Sequence, residues 1–306
     1  MTQMKPMKDK TRAFRLVDAL LIALSVLPLV VGLVIKVLFS APGEGISITG
    51  AQIFFTVPLP LQPWYVTEAQ VNSLLVIASI TGLCLYMTHG IRARVRTRRQ
   101  LLAEWAVETL DGMVRDNMGD YFSGYGAFIA AILLLSALSS LLSLLGLFPP
   151  TSDLNVVAGW AILVFILITY YKLKGGFLNY LKGFTEPIAV LLPLNILGEV
   201  ATPLSMAFRH YGNVLSGSVI AVLIAAALSG LSELVLGWLP GFLGEIPLLR
   251  VGLPAVLSMY FDVFSGCMQA YIFAMLTMLN VSGAFPQELY EQRKQKKLQK
   301  RAATNS

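Results

Sequence analysis

The run Glu199-Val-Ala-Thr-Pro-Leu-Ser-Met-Ala-Phe-Arg-His-Tyr-Gly-Asn-Val-Leu-Ser-Gly-Ser218 decides the architecture, because it sets one guanidinium, that of Arg209, in a largely apolar segment. The apolar character continues through 219–228, as in a membrane-spanning helix. Over 183–292 the only other Lys or Arg is Arg250. A guanidinium keeps its proton on burial, and deep in a bilayer it costs at least ~3 kcal/mol. We therefore expect Arg209 to face protein or water and to have a function.

The neighbours of Arg209 fit a helix that contacts another helix. Asn213 and Ser216 follow at i+4 and i+7, which puts them on the helical face of Arg209. Gly212, Ser216 and Gly217 are small enough for a second helix to approach closely. A structural alternative stays open at this point, in which carbonyls and a carboxylate satisfy the arginine inside a helix bundle.

The composition indicates a polytopic membrane protein. The chain has 306 residues, of which 56% are hydrophobic and only 13% are charged. A soluble domain of this length carries about a quarter charged residues. We predict an all-α fold of about six membrane-associated helices, the last two long. The predicted apolar segments are 16–38, 71–91, 128–148, 155–171, 187–230 and 251–284.

The net charge of +6 comes from three basic clusters that flank apolar segments. Of the 23 basic residues, five lie in 1–15, five in 92–99 and six in 293–301. Such clusters determine topology beside anionic lipid. They lack the aromatic residues on which bases stack, so we expect membrane lipid and no nucleic acid as a partner.

The chain divides into five parts. We assign 1–15 to a basic cytoplasmic N-terminus, 16–39 to a membrane helix, 40–70 to an outside segment rich in proline, 71–286 to a helical domain, and 287–306 to a basic cytoplasmic tail. Six crossings put both termini inside, in agreement with the basic clusters.

The first apolar segment has two interpretations. A cleaved signal peptide has an apolar region of ~7–15 residues and a small residue at the cleavage site. This segment is longer, contains Lys36, and has Phe39 where a small residue is needed. We therefore favour a retained helix.

The segment 97–122 mixes charged and apolar residues at helical spacing. It predicts an amphipathic helix, either along the membrane surface or packed as a short cytoplasmic helix. The apolar segment 187–230 is far longer than the ~20 residues that a vertical crossing needs. Either it breaks at its prolines, which are Pro187, Pro193 and Pro203, or it is strongly tilted. The stretch 230–250 is the predicted outside connection.

The cysteines and histidines predict no metal site. Cys84 and Cys267 fall in apolar segments without CxxC spacing and are expected to be buried small hydrophobes. His89 and His210 have neither an HExxH context nor cysteine partners. We expect no cofactor.

A second polar set lies in the last apolar segment. Asp262, Ser265 or Gly266, and Gln269 recur at i, i+3 or i+4, and i+7 on one helical face. A desolvated carboxylate passes a proton near neutral pH, whereas one beside Arg209 stays ionised. The sequence leaves open whether Asp262 passes a proton, stays ionised beside Arg209, or only joins two helices through an ion pair with Arg209.

Four motifs resemble subunit a of F-type ATP synthases of the bacterial type. The similarity runs from about residue 52 to 285, with the motifs in family order. They are Val66-Thr-Glu-Ala-Gln-Val-Asn72, Pro149-Pro-Thr-Ser-Asp-Leu-Asn155, Pro203-Leu-Ser-Met-Ala-Phe-Arg-His-Tyr-Gly-Asn-Val-Leu-Ser-Gly217, and Tyr260-Phe-Asp-Val-Phe-Ser-Gly-Cys-Met-Gln-Ala-Tyr-Ile-Phe273. The helix at 16–39 is a departure, because the family often lacks it.

The resemblance implies a non-catalytic subunit of the bacterial cell membrane. Its partners would be the c-ring, the peripheral-stalk b subunits and, indirectly, the F1 sector. Arg209 would face the ring carboxylates, with Asn213 and Gln269 as polar companions. Two offset half-channels would load and unload the ring, and the last two helices would form an inclined hairpin against it. No phosphate-binding Gly-x-x-x-x-Gly-Lys-Ser/Thr motif is present.

The chain departs from the family at its usual Glu and His pair. Ser218 and Asp262 stand there, so Asp262, with Glu199, is expected to carry the outside path; Glu199 as a plain surface carboxylate is equally open. Asp153 and Asn155 are candidates for the outside mouth, although Asp153 next to a helix start also suits an N-cap. H⁺ is the first choice of ion, and hydroxyl and carboxylate oxygens keep Na⁺ open.

An alternative from another class is a self-contained proton-coupled secondary transporter. Arg209 would then bind an anionic substrate and Asp262 would couple the proton. Such transporters commonly show two matching halves, which this sequence does not show.

Overall fold

The computed structural model describes residues 7–39, 50–58, 60, 63–91, 97–185, 188–236, 256–257, 259–288, 291 and 295. Within them, six helices are long and apolar enough to cross a membrane, which confirms the all-α polytopic fold. These spans are Phe14–Leu38, Glu68–Thr88, Asp120–Leu145, Leu154–Lys174, Leu192–Ser232 and Met259–Gly283.

The first helix and a β-hairpin precede the second span. Helix α1 covers Met7–Phe39 and packs along α2, which covers Glu68–Thr88. Between them, strands β1 (Ile53–Val57) and β2 (Trp64–Thr67) pair antiparallel. Sequence analysis did not predict the hairpin, which lies in the proline-rich segment 40–70.

Helix α3, Arg98–Met118, is the predicted amphipathic helix, and its two halves differ. Its N-cap Thr97 accepts from the Gln100 amide at 3.2 Å. Val114 and Met118 are buried in the core, whereas Trp105 is exposed. The C-terminal half is therefore packed, and the N-terminal half has an apolar surface suited to a membrane interface.

The middle of the chain forms two spans joined by short 3₁₀ turns. A 3₁₀ turn, Asp120–Tyr125, leads into α4, Gly126–Leu141, and another, Leu142–Leu145, ends it. After a third 3₁₀ turn, Pro150–Ser152, α5 covers Leu154–Lys174.

The longest helix is continuous. Helix α6, Phe177–Thr185, and a 3₁₀ turn, Ala189–Leu191, precede α7, Leu192–Leu236. Its 45 residues correspond to ~67 Å, and it runs through Pro203 without ending. Of the two alternatives for this segment, a break at Pro203 is therefore excluded, and Gly230 lies inside the helix rather than in the connection predicted for 230–250. Pro187 and 237–250 lie outside the described residues.

The last span begins with a π-helix. Met259–Ser265 is π-helical and passes directly into α8, Gly266–Gly283. Buried residues of α8, such as Phe273 and Met278, share the main core with α3, α4 and α5. Cys84 and Cys267 are exposed on the surface of the chain, so their expected burial is wrong.

Candidate functional site

Arg209 lies on an exposed face of α7. Its exposed neighbours on that face are polar, namely Ser205 one turn before it and Asn213 and Ser216 one and two turns after it, and Leu204 and Phe208 lie exposed beside them. Within the part of the chain that the structure describes, Arg209 makes no hydrogen bond or ion pair. The Arg209–Asp262 ion pair is therefore absent, and the guanidinium is presented outward.

The amides next to Arg209 link the last two helices. Asn213 Nδ2 donates to Gln269 Oε1 at 2.6 Å. Gln269 is only 2% exposed, so this bond satisfies a polar group that would be costly to leave unpaired at this depth. The structure thus pairs Asn213, one helical turn after Arg209, with Gln269 of α8.

Ser218 and Asp262 meet in a narrow cleft between α7, α4 and the π-helix. The cleft is also lined by Asn213 and by Ser140 of α4. Ser218 donates its hydroxyl to the Leu215 carbonyl at 2.8 Å, one turn back. Asp262 is half-buried. The cleft therefore joins a carboxylate to hydroxyls from two other helices.

Glycines set the width of this cleft. A Cβ at Gly217 would lie 3.1 Å from the Phe261 ring, and one at Gly266 would lie 2.7 Å from Ser140 Cβ. The helices approach this closely only because both positions lack a side chain.

Glu199 lies at the other end of α7. Its carboxylate pairs with Lys172 Nζ at 3.0 Å, with the carboxylate side chain 8% exposed, and accepts from the Tyr180 hydroxyl at 3.2 Å. Burial, and then the Glu199 charge, raise the pKa of Tyr180, which keeps that donor protonated. Asn179 and Asn195 line the adjacent cavity of about 440 Å³.

The carboxylates of Glu199 and Asp262 line different cavities. Along α7, Glu199 lies ~15 Å before Arg209, and Ser218, which faces Asp262, lies ~14 Å after it. The expected pairing of Glu199 with Asp262 on the outside path does not fit this separation. Each carboxylate belongs to a separate polar region.

A third cavity, which we call the vestibule, lies beside the β-hairpin. It measures about 620 Å³ and is lined by Asp153, Asn155, Trp64 of β2 and Tyr211 of α7. Asp153 also accepts from the Asn155 amide at 2.9 Å and so caps α5. The N-cap interpretation of Asp153 is therefore confirmed, and its role at an outside mouth stays a prediction.

Sequence analysis missed two sets of residues. Lys172 had been assigned only to topology, and its partnership with Glu199 is visible only in the fold. His210 had been considered only as a metal ligand, yet it is fully buried beside Ser136. Its position next to Arg209 in an apolar segment was the available signal. Among the described residues no group of His, Cys, Asp and Glu could hold a metal ion.

Comparison with known proteins agrees with these features. The model of the family described as ATP synthase A chain matches residues 70–282. ATP synthase subunit a of Priestia megaterium is 33% identical over 231 residues, covering 71% of this chain and 92% of that protein. The subunit of Geobacter sulfurreducens is 29% identical over 233 residues, covering 73% and 92%. The sodium ion specific subunit of Propionigenium modestum is 26% identical over 269 residues, covering 78% and 86%.

Proposed function

Because the chain belongs to the ATP synthase A chain family, we propose that it carries ions to and from the carboxylates of a c-ring through two offset half-channels. The observation that carries the proposal is the outward guanidinium of Arg209 on α7, which has no partner among the described residues. A charge so placed needs a partner of opposite sign outside the described chain, and a ring carboxylate is such a partner.

Arg209 separates the two half-channels. Its charge favours the ionised carboxylate of the ring, so a bound ion leaves as the site approaches. The same charge repels cations that would pass directly between the paths. An ion then crosses only by travelling with the ring.

The polar regions on either side of Arg209 supply the two paths. We assign the vestibule and the cleft of Ser218 and Asp262 to the outside path. The cavity of Lys172 and Glu199 is the inside path, because it adjoins the basic end of α5. Their separation along α7 supports this arrangement, because neither carboxylate lies near the other.

The remaining assignments follow from this role. The chain itself would be non-catalytic, with ATP chemistry in the F1 sector and with peripheral-stalk b subunits as further partners. It would lie in the bacterial cell membrane as a multi-pass protein, with both termini inside, and α7 and α8 would be inclined against the ring.

The test is ATP-driven ion transport by the purified complex in liposomes. Uptake of H⁺ and of ²²Na⁺ is measured for the wild type, Arg209→Ala and Arg209→Lys. We expect Arg209→Ala to lose coupled transport while ATP-hydrolysing subunits remain attached, and Arg209→Lys to retain little, because an ammonium does not present the planar fork of a guanidinium.

Arg115→Ala is the matched control, because it also removes an exposed guanidinium. Arg115 lies 3.8 Å from Asp120 on the surface of α3 and is expected to be dispensable. Normal coupled transport by Arg209→Ala would overturn the proposal, as would a purified chain that carries no ATPase subunits.

A further inference from the structure

The cleft between α7, α4 and the π-helix is small, and oxygen atoms form most of its polar lining. The polar groups are the carboxylate of Asp262, the amide of Asn213, and the hydroxyls of Ser140, Ser143, Ser218 and Ser265. No Lys or Arg is among the lining residues that the structure describes. The free volume of about 20 Å³ is room for one water-sized particle. The cleft therefore places one negative charge and several neutral oxygens around a single small space.

The protons of three of these hydroxyls are already engaged. Ser218 Oγ donates to the Leu215 carbonyl at 2.8 Å, and Ser143 Oγ donates to the Ser140 carbonyl at 2.7 Å. Ser140 Oγ donates to the Ser136 carbonyl at 3.2 Å. A hydroxyl has one proton and two lone pairs, so each of these groups has only lone pairs left to offer. The three hydroxyls therefore present acceptors to the cleft.

Asn213 and Asp262 add further acceptors. Asn213 Nδ2 donates to Gln269 Oε1 at 2.6 Å, and among the described residues Asn213 Oδ1 accepts no hydrogen bond. Asp262 is half-buried, and an ionised carboxylate only accepts. A carboxylate and neutral lone pairs around one space are the ligand set of a hard cation. The cleft is therefore complementary to a cation rather than to an anion or an apolar group.

We propose that this cleft is a binding site for Na⁺ and that the outside path delivers Na⁺ to the ring through it. The inference rests on the proposed function, in which the cleft belongs to the outside path. Na⁺ is one of the two ions that the sequence left open. Asn213 lies one turn after Arg209, so an ion that leaves the cleft on this side reaches the region where the ring carboxylate is expected.

The charge, width and hydrogen bonds of the cleft favour Na⁺ over other cations. Sites for Ca²⁺ commonly use several carboxylates, whereas this cleft has the single negative charge of Asp262. Close packing at Gly217 and Gly266 keeps the cleft narrow, which favours Na⁺ over the larger K⁺. A proton wire needs hydroxyls that pass a proton on, and these hydroxyls donate to backbone carbonyls, which do not.

The first experiment measures whether the purified chain, without the ring, binds Na⁺. Thermal unfolding of the full chain in detergent is followed in NaCl and in KCl at equal concentration, for the wild type, Asp262→Asn and Ser218→Ala. An ion that binds only the folded chain raises its unfolding temperature. We expect the wild type to unfold at a higher temperature in NaCl than in KCl, with a smaller difference in both variants. The ring carboxylates are absent, so the response belongs to this chain.

The second experiment uses the complete complex in liposomes, with the F1 sector on the outer surface so that the outside path opens to the lumen. ATP synthesis driven by a membrane potential is measured as the Na⁺ concentration in the lumen is varied. We expect the wild type to require Na⁺. Ser218→Ala is expected to raise the half-saturating Na⁺ concentration by about tenfold and to keep the maximal rate. Asp262→Asn is expected to lose both. A packing role of Ser218 does not predict recovery at high Na⁺.

Ser229→Ala is the matched control for Ser218→Ala. Ser229 also lies on α7 and donates its hydroxyl to the Ala225 carbonyl at 2.9 Å, but it does not line the cleft. We expect this variant to keep the wild-type dependence on Na⁺ in both experiments.

Three results would overturn the inference and leave the proposed function intact, each observed while Arg209→Ala still abolishes coupled transport. The first is equal unfolding temperatures of the wild-type chain in NaCl and KCl. The second is ATP synthesis that does not depend on Na⁺ in the lumen. The third is a half-saturating Na⁺ concentration that neither Ser218→Ala nor Asp262→Asn changes. Stabilisation of the chain by Na⁺ together with normal transport by Arg209→Ala would instead keep the site and overturn the proposed function.

Discussion

At the scale of single residues, the ion pair of Lys172 and Glu199 joins α5 to α7 beside a cavity. The Glu199 side chain is 8% exposed, whereas that of Lys172 is 35% exposed. Removal of one partner from a fully buried pair costs about 3–5 kcal/mol, because the other charge stays uncompensated. Partial access of Lys172 to solvent reduces this cost to about 1–3 kcal/mol.

We therefore expect Lys172→Met and Glu199→Gln each to lower the free energy of unfolding of the chain in the purified complex by about 1–3 kcal/mol. The double variant is expected to lose less than the sum, because no unpaired charge remains. Thermal unfolding of the four proteins measures the coupling. Strictly additive losses would show that the pair contributes nothing. Asp120→Asn, which removes the exposed partner of Arg115, should change stability by no more than about 0.5 kcal/mol.

Residue types alone predicted part of the site. Arg209, Asn213 and Gln269 were identifiable because a charge or an amide in an apolar segment is costly and therefore conspicuous. The partner of Glu199 was not identifiable from the sequence, because Lys172 lies on another helix and spacing along the sequence gives no distance between helices. His210 was overlooked because a histidine reveals its role only through the groups that surround it.

At the scale of elements, α1 is held to the rest of the chain at both of its ends. Asp18 pairs with His89 at 2.9 Å and with Arg99 at 3.0 Å, and Phe14 stacks on His89. At the opposite end Lys36 donates to the Gly146 carbonyl. These contacts dock α1 on the rest of the chain, and its retention stays a prediction.

The close contact of α1 with α2 is at Gly82. A Cβ at this position would lie 2.6 Å from the Ser25 amide nitrogen, which is backbone and does not swing aside. Ser79 also donates its hydroxyl to the Ser25 carbonyl. We expect Gly82→Leu to displace α1 and to destabilise the chain by about 1–3 kcal/mol.

A disulfide reports this displacement. Cysteines replace Ser25 and Ser79 in a chain whose Cys84 and Cys267 are changed to serine, and oxidation is followed by gel mobility. The cross-link is expected in the parent and not with Gly82→Leu. Gly159→Leu is the control, because a Cβ at Gly159 would have no atom within 4 Å. Equal cross-linking in all three would contradict the docking of α1 at Gly82.

The π-helix before α8 gives a second prediction at this scale. It ends at Ser265, and a Cβ at the next residue, Gly266, would lie 2.7 Å from Ser140 Cβ. Gly266→Val is therefore expected to push α8 from α4, widen the cleft of Asp262, and reduce ATP-driven transport at least several-fold, with a stability loss of about 1–3 kcal/mol. In the double variant Gly266→Val with Ser140→Gly, the transport rate and the stability are both expected to recover in part. No recovery would mean that the clash lies elsewhere.

Some elements were predictable from their own sequences, and others were not. Apolar length identified the six spans, because a bilayer requires about 20 apolar residues for each crossing. The continuity of α7 through Pro203 was not predictable, because a proline breaks a helix unless surrounding structure compensates. The π-helix and the β-hairpin also depend on packing, which local sequence does not specify.

At the scale of the whole molecule, α7 and α8 run antiparallel with Arg209 between two polar regions. Asn280 near the end of α8 contacts Met206, whereas Asp262 near its start lies in the cleft with Ser218. The sequence predicted one polar set around Arg209 and a second in the last apolar segment. It did not predict that Glu199 and Asp262 lie on opposite sides of Arg209, because that depends on the direction in which the helices pack.

The exposed face of α7 provides the last prediction. Ser205, Arg209 and Ser216 lie on it, and small residues let another helix approach closely. If this face packs on the ring, it is covered in the complex and open to lipid in the isolated chain. The exposed residue Val26 of α1 is expected to remain open to lipid in both, because α1 packs mainly on α2 and not on α7.

Spin labels measure this difference. A nitroxide is attached to cysteine at position 205, 216 or 26 in a chain without its native cysteines, and its relaxation by dissolved oxygen is compared with and without the ring. Oxygen concentrates in lipid, so we expect relaxation at 205 and 216 to fall when the ring is present, while that at 26 stays constant. If relaxation at 205 and 216 does not change when the ring is present, the ring does not cover the face of Arg209. The proposed route of the ion through the ring would then lose its structural basis.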